Sequence, residues 1–273
     1  MTRRSDIPPT VMDELKRNLE RLKLKAMLLH LEAALEEATA SEQGYISFLA
    51  GLVHKEVLAR ADAATQRRLG AAKFPETKTF DTWDWTFQRN LNVQLVKDLM
   101  SLHFVAQGRP LLLLGRPGTG KTHLSLAYGS LAALRGYTVR FYKASRLLAE
   151  LYASLADDST ERLVARLARL DLLIIDDLRH IPVREQYATL LFDLIEARHL
   201  KKSTIVSSNL SVKEWGKVLG NPALTASMVD RLMERAHVLN IRRGRSYRTE
   251  GPQAPPEQDR PPELIATDDE DDT

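Results

Sequence analysis

An eight-residue glycine-rich loop joins an apolar run to a helical stretch and restricts the folds that this chain can adopt. The loop is Gly115-Arg116-Pro117-Gly118-Thr119-Gly120-Lys121-Thr122, and it follows Leu111–Leu114. Its glycines let several backbone N–H groups point at one anion, and the N-terminus of the next helix adds about half a positive charge. In such loops the lysine reaches the β- and γ-phosphates and the hydroxyl binds Mg²⁺. The strand-to-helix context argues against a chance turn and predicts an ATP and Mg²⁺ site, with the adjoining His123 as a further contact.

Two carboxylates follow another apolar run. Asp176 and Asp177 come directly after Leu172–Ile175, about 55 residues beyond the loop. Ligands of parallel sheets bind at the carboxyl ends of strands, so we expect Asp176 to hold Mg²⁺ and Asp177 to polarise the attacking water. Paired carboxylates can instead cap a helix, but their place after a phosphate loop favours the metal. Because Asp177 is shorter than a glutamate, we expect slow hydrolysis.

Two further polar residues are candidates for the reaction. Asn209 follows the short run Thr204–Val206 and can hydrogen-bond the water or the γ-phosphate, although asparagine at a strand end is more often a turn residue. Arg231 lies between Asn209 and the last apolar run. It is a candidate arginine finger for the nucleotide of a neighbouring subunit. The alternative is a surface ion pair with Asp230 or Glu234.

The second half of the chain alternates short apolar runs with helical stretches. This pattern predicts an α/β fold with a parallel five-stranded sheet covered on both faces. We expect Gly136 to end the helix that begins at the loop. The predicted strands are Leu111–Leu114, Val139–Tyr142, Leu172–Ile175, Thr204–Val206 and Val238–Ile241.

Residues 10–70 are predicted to be helical. Two apolar stripes are expected to lie side by side on one helix, and a second helix runs from Tyr45 to about Leu69. A helix that is apolar on two sides must pack both sides against other elements, either its own neighbours or another chain. The first stripe comprises Leu15, Leu19, Leu22, Ala26, Leu29 and Ala33, and the second comprises Leu24, Leu28, Leu31 and Leu35.

Three domains are therefore predicted. Residues 1–72 form a small all-helical domain for oligomerisation or partner contact, and residues 73–250 form the ATPase domain. Residues 251–273 are rich in proline and acidic side chains, and we expect them to be disordered because they cannot bury a core.

The charge is distributed unevenly. The net charge is +3, but the stretch from Glu250 onward carries −8, which leaves +11 on residues 1–249. A basic body favours an anionic partner such as nucleic acid, or it is only a solvated surface, and composition leaves both open. The lack of cysteine fits a reducing compartment. No apolar run approaches the roughly 20 residues of a membrane helix, and the N-terminus does not resemble a signal peptide, so we expect a cytoplasmic protein with no membrane contact.

The motifs and their order resemble AAA+ P-loop ATPases of the DnaC/IstB clade. The resemblance rests on Leu173-Ile174-Ile175-Asp176-Asp177-Leu178, Ser208-Asn209-Leu210 and Asp230-Arg231-Leu232. Three stretches are closer to the IstB-like ATP-binding proteins of insertion sequences, namely Leu22-Lys23-Leu24, the connector Phe80–Gln88 and Ser246-Tyr247-Arg248. The similarity covers roughly residues 15–250.

This resemblance implies more than the residues do. It implies an ATPase that self-associates with ATP on duplex DNA of tolerant sequence, deforms that DNA and presents it to the transposase of the same element. The N-terminal helices would then serve assembly or transposase contact. Lys143 and Arg146 follow the second predicted strand, where relatives present a helix start to DNA, so they are candidate DNA contacts, although such cations are usually just exposed.

Other functions remain compatible with these motifs. A replicative helicase loader of the DnaC type would share the fold but bind a hexameric helicase and single-stranded DNA. A small-molecule kinase would need an acceptor pocket and no arginine finger. An ATP-binding scaffold with negligible turnover would fit the short Asp177.

Overall fold

The computed structural model describes residues 9–179, 186–241 and 244–252. The helices there are α1 (Pro9–Arg21), α2 (Lys25–Ala40), α3 (Tyr45–Ala72), α4 (Val93–Leu99), α5 (His103–Ala106), α6 (Lys121–Leu134), α7 (Ala144–Ala153), α8 (Thr160–Ala168), α9 (Gln186–Arg198), α10 (Trp215–Leu219), α11 (Pro222–Met233) and α12 (Tyr247–Glu250), with 3-10 turns at Phe80–Thr82 and Val212–Glu214. The strands are β1 (Leu111–Gly115), β2 (Val139–Lys143), β3 (Leu172–Asp176), β4 (Ser203–Ser208) and β5 (His237–Ile241). None of the described helices has the length and apolar character needed to cross a bilayer.

Residue contacts divide the chain into two compact units. They are Met1–Arg67 and Arg68–Thr273, so the division falls within α3. The domain bounds drawn from the sequence at 72/73 and 250/251 stay predictions. Residues 253–273, most of the predicted acidic tail, lie outside the described residues.

In the first unit the prediction of one helix carrying both N-terminal stripes is wrong. The chain turns at Leu22–Leu24, where Lys23 adopts a left-handed φ of 58° and ends α1. A left-handed residue cannot continue an α-helix, so the stripe that crosses this turn is split. Leu22 and Leu29 of the first stripe are 66% and 77% exposed. The small core of this unit is made by Leu19 and Leu31, one from each stripe, together with Met27, Ala34 and Leu52.

The start of α2 is capped by a buried carboxylate from α3. Glu56 accepts the backbone N–H groups of Ala26 (2.8 Å) and Met27 (3.1 Å). These are two of the N–H groups that a helix start leaves without intrahelical partners. Arg60 pairs with Glu56 at 2.8 Å and also donates to the Lys23 carbonyl at 3.1 Å. The turn between α1 and α2 is therefore fixed by α3.

The second unit contains a parallel five-stranded sheet in the order β2-β3-β4-β1-β5. All five predicted strands are confirmed, each within one or two residues of its predicted ends. The α/β fold with a preceding helical region is confirmed as well. The predicted end of α6 is also correct, since Gly136 follows the C-cap with a φ of 98°.

Helices cover both faces of the sheet. Alternate residues of a strand point to opposite faces. Leu111 and Leu113 of β1 accordingly belong to one apolar core, whereas Leu112 and Leu114 belong to another. Because the strands are parallel, β1, β3 and β4 all end at the same edge, and β4 lies between the other two.

Candidate active site

The loop between β1 and α6 has a conformation that requires glycine. Gly118 and Gly120 have φ values of 80° and 92°, in the left-handed region that L-residues with a Cβ disfavour. Thr119 between them is fully buried, and its hydroxyl donates to the Arg116 carbonyl at 2.9 Å. The loop is therefore a fixed cradle that ends at the N-terminus of α6.

Lys121 turns back over this cradle. Its Nζ donates to the carbonyls of Gly115 (2.6 Å) and Arg116 (2.8 Å). Burial lowers the pKa of Lys121 to about 8, against the opposing pull of the Asp176 and Asp177 carboxylates. A partly desolvated ammonium group at a helix N-terminus attracts an anion strongly, and a bound anion would raise this pKa again.

Asp176 lies at the end of β3 and meets Thr122 from α6. The Thr122 hydroxyl is 3.1 and 3.0 Å from the two carboxylate oxygens, and the Ser207 hydroxyl donates to Oδ1 at 2.5 Å. Asp176 is only 2% exposed. Burial raises the pKa of Asp176, and the bonds from Ser207 and Thr122 oppose that rise. Two hard oxygen donors, one of them a carboxylate, fit a magnesium ion that is completed by water and phosphate oxygens.

Asp177 continues from this strand with a left-handed backbone, at a φ of 63°. Its N–H donates to the Ser207 hydroxyl at 2.9 Å, and its carboxylate pairs with Arg179 Nε at 3.0 Å. The Ser207 hydroxyl therefore ties both aspartates to β4. Asn209 follows β4, and its buried Oδ1 has no hydrogen-bond partner among the described residues.

These groups line one cavity of about 710 Å³. Of the residues predicted from the sequence, it brings together those from Pro117 to His123 with Asp176, Asp177, Asn209 and Lys143. Gly115 and Arg116 do not line it, although their carbonyls hold Lys121. His123 Nε2 donates to the Thr79 carbonyl at 2.9 Å, and the ring lies edge-on to Trp83, with ring centroids 5.2 Å apart. Burial lowers the pKa of His123, which favours a neutral ring.

Comparison with known proteins agrees with this site. The family model of IstB-like ATP-binding proteins matches residues 17–253. The chain belongs to this family. It is accordingly a P-loop ATPase, as the motifs predicted. It is 35% identical to a protein named for ATP binding in insertion sequence IS21 of Pseudomonas aeruginosa, over 87% of this chain and 89% of that protein. A similarly named protein of IS232 from Bacillus thuringiensis subsp. berliner is 33% identical over 86% and 94% of the two chains.

Solved structures support the AAA+ fold. DnaI aligns with a TM-score of 0.51 at 21% identity, over 60% of this chain and 90% of that one. AMPPCP-bound DnaA from Aquifex aeolicus aligns with a TM-score of 0.51 at 22% identity, over 64% and 52% of the two chains. At these identities the likeness concerns the fold alone.

In this member of the IstB-like family, the cavity also contains residues whose part in the site no sequence motif predicted. They come from the connector before β1 and from the segment after β5, and they include Trp83, Phe87, Gln88, Tyr247 and Arg248. Arg248 is close enough to Lys121 for its charge to lower the pKa of that lysine. The only signal for it in the sequence was its place in the Ser246-Tyr247-Arg248 phrase of the family resemblance.

Arg231 does not line the cavity of its own chain. It lies on α11, where its guanidinium pairs with Glu196, donates to the Ser227 hydroxyl at 2.7 Å and stacks over Phe192 at 4.8 Å. The alternative that the sequence offered, an ion pair with Asp230 or Glu234, is wrong in its partner, because Arg231 pairs with Glu196. The role of Arg231 as an arginine finger therefore stays a prediction.

The two candidate DNA contacts lie next to each other in the fold. Lys143 ends β2 and lines the cavity, and Arg146 lies in the first turn of α7 outside it. Both side chains are exposed. Their position permits contact with a polyanion, and their role in DNA binding stays a prediction.

Proposed function

We propose that this chain is a cytoplasmic, Mg²⁺-dependent ATPase that assembles on duplex DNA and assists a partner transposase. The observation that carries the proposal is a complete phosphate cradle, joined to the hydrogen-bonded Thr122–Asp176 pair, in a chain matched over residues 17–253 by a family whose relatives come from insertion sequences. A basic body of residues 1–249 fits binding to DNA phosphates, which is expected to be salt-dependent and tolerant of sequence.

The residues of the cavity divide the reaction between them. The loop N–H groups and Lys121 hold the phosphates, while Thr122 and Asp176 would hold Mg²⁺. Bound there, the ion would neutralise phosphate charge. Asp177 orients the water that attacks the γ-phosphorus, the bond to the ADP oxygen breaks, and the proton of the water ends on the released phosphate. Asn209 supplies an unpartnered buried oxygen to the same space.

Two arginines, one from the same chain and one from a neighbouring subunit, add positive charge to the nucleotide site. Arg248 comes from the same chain and shares the cavity with Lys121. Arg231 has no place in its own cavity, so we propose that it reaches the γ-phosphate of a neighbouring subunit as an arginine finger. Self-association would then be a condition of turnover, and DNA would promote turnover by lining up subunits.

A mixing experiment tests the shared site. Asp177→Asn and Arg231→Ala should each bind ATP but lose hydrolysis. When mixed with DNA present, some interfaces combine an intact Asp177 cavity with an intact Arg231, so activity should partly return. Arg235→Ala, an exposed arginine on the same segment, is the control and should hydrolyse normally. An inactive mixture would refute the finger, and normal hydrolysis by Asp177→Asn would refute the role of that residue.

DNA contact is tested separately. Lys143→Ala and Arg146→Ala should each reduce the slope of log affinity against log salt by about one. Arg162→Ala, an exposed arginine on α8, should leave the slope unchanged. The same slope in all three variants would place the DNA elsewhere on the chain.

A DnaC-type helicase loader shares the fold, so the fold does not separate the two functions. Insertion-sequence relatives favour the transposition helper. Binding assays with a replicative helicase and with the transposase of the same element decide between them. Capture of the helicase and no transposase would overturn the choice.

A further inference from the structure

Gln88 is a buried side chain that joins two distant parts of the ATP cavity. It is 4% exposed. Its Nε2 donates to the Thr119 carbonyl of the phosphate loop (3.2 Å) and to the Arg245 carbonyl (2.6 Å), and its Oε1 accepts the Arg245 N–H at 3.0 Å. One amide therefore connects the loop after β1 with the segment after β5.

The segment that Gln88 holds carries Arg248. Next to Arg245, the Tyr247 N–H donates to the Gly118 carbonyl at 2.9 Å, and the Tyr247 ring packs edge-on against Phe87 at 4.8 Å. The segment therefore rests directly on the phosphate loop. The position of the Arg248 charge relative to Lys121 depends on this contact.

The phosphate loop and the segment after β5 are packed so closely that neither can shift against the other without a clash. A Cβ on Gly118 would lie 2.2 Å from the Ser246 hydroxyl, and one on Gly244 would lie 2.7 Å from Gln88 Oε1. Both polar atoms of the Gln88 side chain are bonded to backbone groups, although the residue borders the cavity. This arrangement suits a group that holds other residues in place rather than one that contacts the reacting phosphate.

We propose that Gln88 is a positioning residue for ATP hydrolysis, which fixes Arg248 against the phosphate loop. The inference rests on the proposed role of Arg248 in the cavity. It predicts that loss of the amide affects turnover through Arg248 and leaves ATP affinity largely intact, because the cradle and Lys121 keep their own contacts.

The first test does not depend on activity. Amide hydrogen exchange is measured on the protein without nucleotide, for wild type, Gln88→Met and the control Gln94→Met. Gln94 is an exposed glutamine of α4 that donates to Asp98 at 2.7 Å. Exchange at Arg245 and Tyr247 should accelerate about tenfold or more in Gln88→Met only, because the opening free energy of the segment falls. Unchanged exchange there would overturn the proposal.

The second test is kinetic. Gln88→Met should lower kcat about tenfold with KM for ATP changed less than about threefold. Added to Arg248→Ala, it should lower kcat no further, because both changes would remove the same interaction. A multiplicative loss in the double variant, or a change confined to KM, would overturn the proposal. If wild type itself does not hydrolyse ATP, the proposed function fails, while the exchange result still decides whether Gln88 holds the segment.

A pH profile separates positioning from a general loss of packing. Gln88→Glu keeps the size and the acceptor, but its carboxylate faces the carbonyls of Thr119 and Arg245. Protonation of the introduced carboxyl restores a donor. Its kcat relative to wild type should therefore rise as the pH falls, whereas that of Gln88→Met should stay flat. Two flat profiles would overturn the proposal, and Gln88→Glu also serves if Gln88→Met does not fold.

Discussion

The hydroxyl of Ser207 is the contact whose removal tests the site most directly. Ser207 is 1% exposed, and its Oγ donates to Asp176 at 2.5 Å and accepts the Asp177 N–H at 2.9 Å. Ser207→Ala removes a hydrogen bond to a buried charged group, worth about 1.5–3 kcal/mol, and leaves a backbone N–H unsatisfied at a cost of about 1–3 kcal/mol. Asp176 keeps its bond from Thr122 at 3.0 Å, so the two losses overlap in part and we expect the free energy of unfolding to fall by about 3 kcal/mol.

The loss should depend on pH. Burial raises the pKa of Asp176, and removal of the Ser207 donor raises it further. Above the folded-state pKa of Asp176 in the variant, the carboxylate is charged in both proteins and lacks its Ser207 donor in the variant. The loss of stability is therefore complete there. As the pH falls through that pKa, the carboxyl becomes neutral and the difference between Ser207→Ala and wild type should shrink.

The assay is urea unfolding followed by tryptophan fluorescence. All three tryptophans, Trp83, Trp85 and Trp215, lie after Arg68, so the signal reports the second unit. Ser125→Ala is the matched control, because the Ser125 hydroxyl is fully buried and has no partner among the described residues. It should leave stability within about 0.5 kcal/mol of wild type, or raise it. Equal losses in both variants, or no loss in Ser207→Ala, would refute the reasoning.

Three further predictions concern individual residues. Lys121→Met should abolish ATP binding, and its stability relative to wild type should be highest below pH 8. The reason is that wild-type Lys121, with its pKa lowered to about 8, carries a costly buried charge below that pH. This cost disappears as the pH rises toward 10.5, the usual pKa of lysine, and urea unfolding at several pH values that shows no such trend would contradict the prediction. Gly120→Ala should weaken ATP binding about tenfold or more in calorimetry, because the new Cβ would lie 2.5 Å from the Trp83 ring at a φ of 92°; unchanged affinity would show that the loop adapts. Arg198→Met should lower the unfolding free energy by about 3 kcal/mol with unchanged ATP affinity of the folded protein, because the guanidinium bonds Thr204 and the carbonyls of Leu167, Leu170 and Ser203, none of which lines the cavity; a loss of affinity without a loss of stability would contradict it.

The N-terminal helices show where periodicity misleads. A stripe at steps of four and three predicted one helix through Leu22, but the left-handed backbone of Lys23 splits it. A stripe of this kind is satisfied equally by two shorter helices, because the spacing does not record whether the chain turns between them. The contact that fixes this turn comes from Glu56 and Arg60, far along the sequence.

Features that depend on neighbouring residues could be predicted from the order of the amino acids. The phosphate loop, the five strands and the placement of Asp176 and Asp177 at a strand end follow from local spacing and from the alternation of apolar runs with helices. The family was likewise predicted from short stretches of consecutive residues, and the match to the family model confirms it. Each of these needs only the backbone preferences and burial of consecutive residues.

The rest of the cavity is built from contacts between segments that are far apart in the sequence. The strand order places Ser207 of β4 between β1 and β3, Gln88 bonds a residue 157 positions away, and Arg248 returns to the loop from beyond β5. The same is true of Arg231, which the fold places outside the cavity of its own chain and against Glu196. Such contacts could not be predicted, because they depend on packing between distant segments and a single sequence carries no local pattern that specifies the partner.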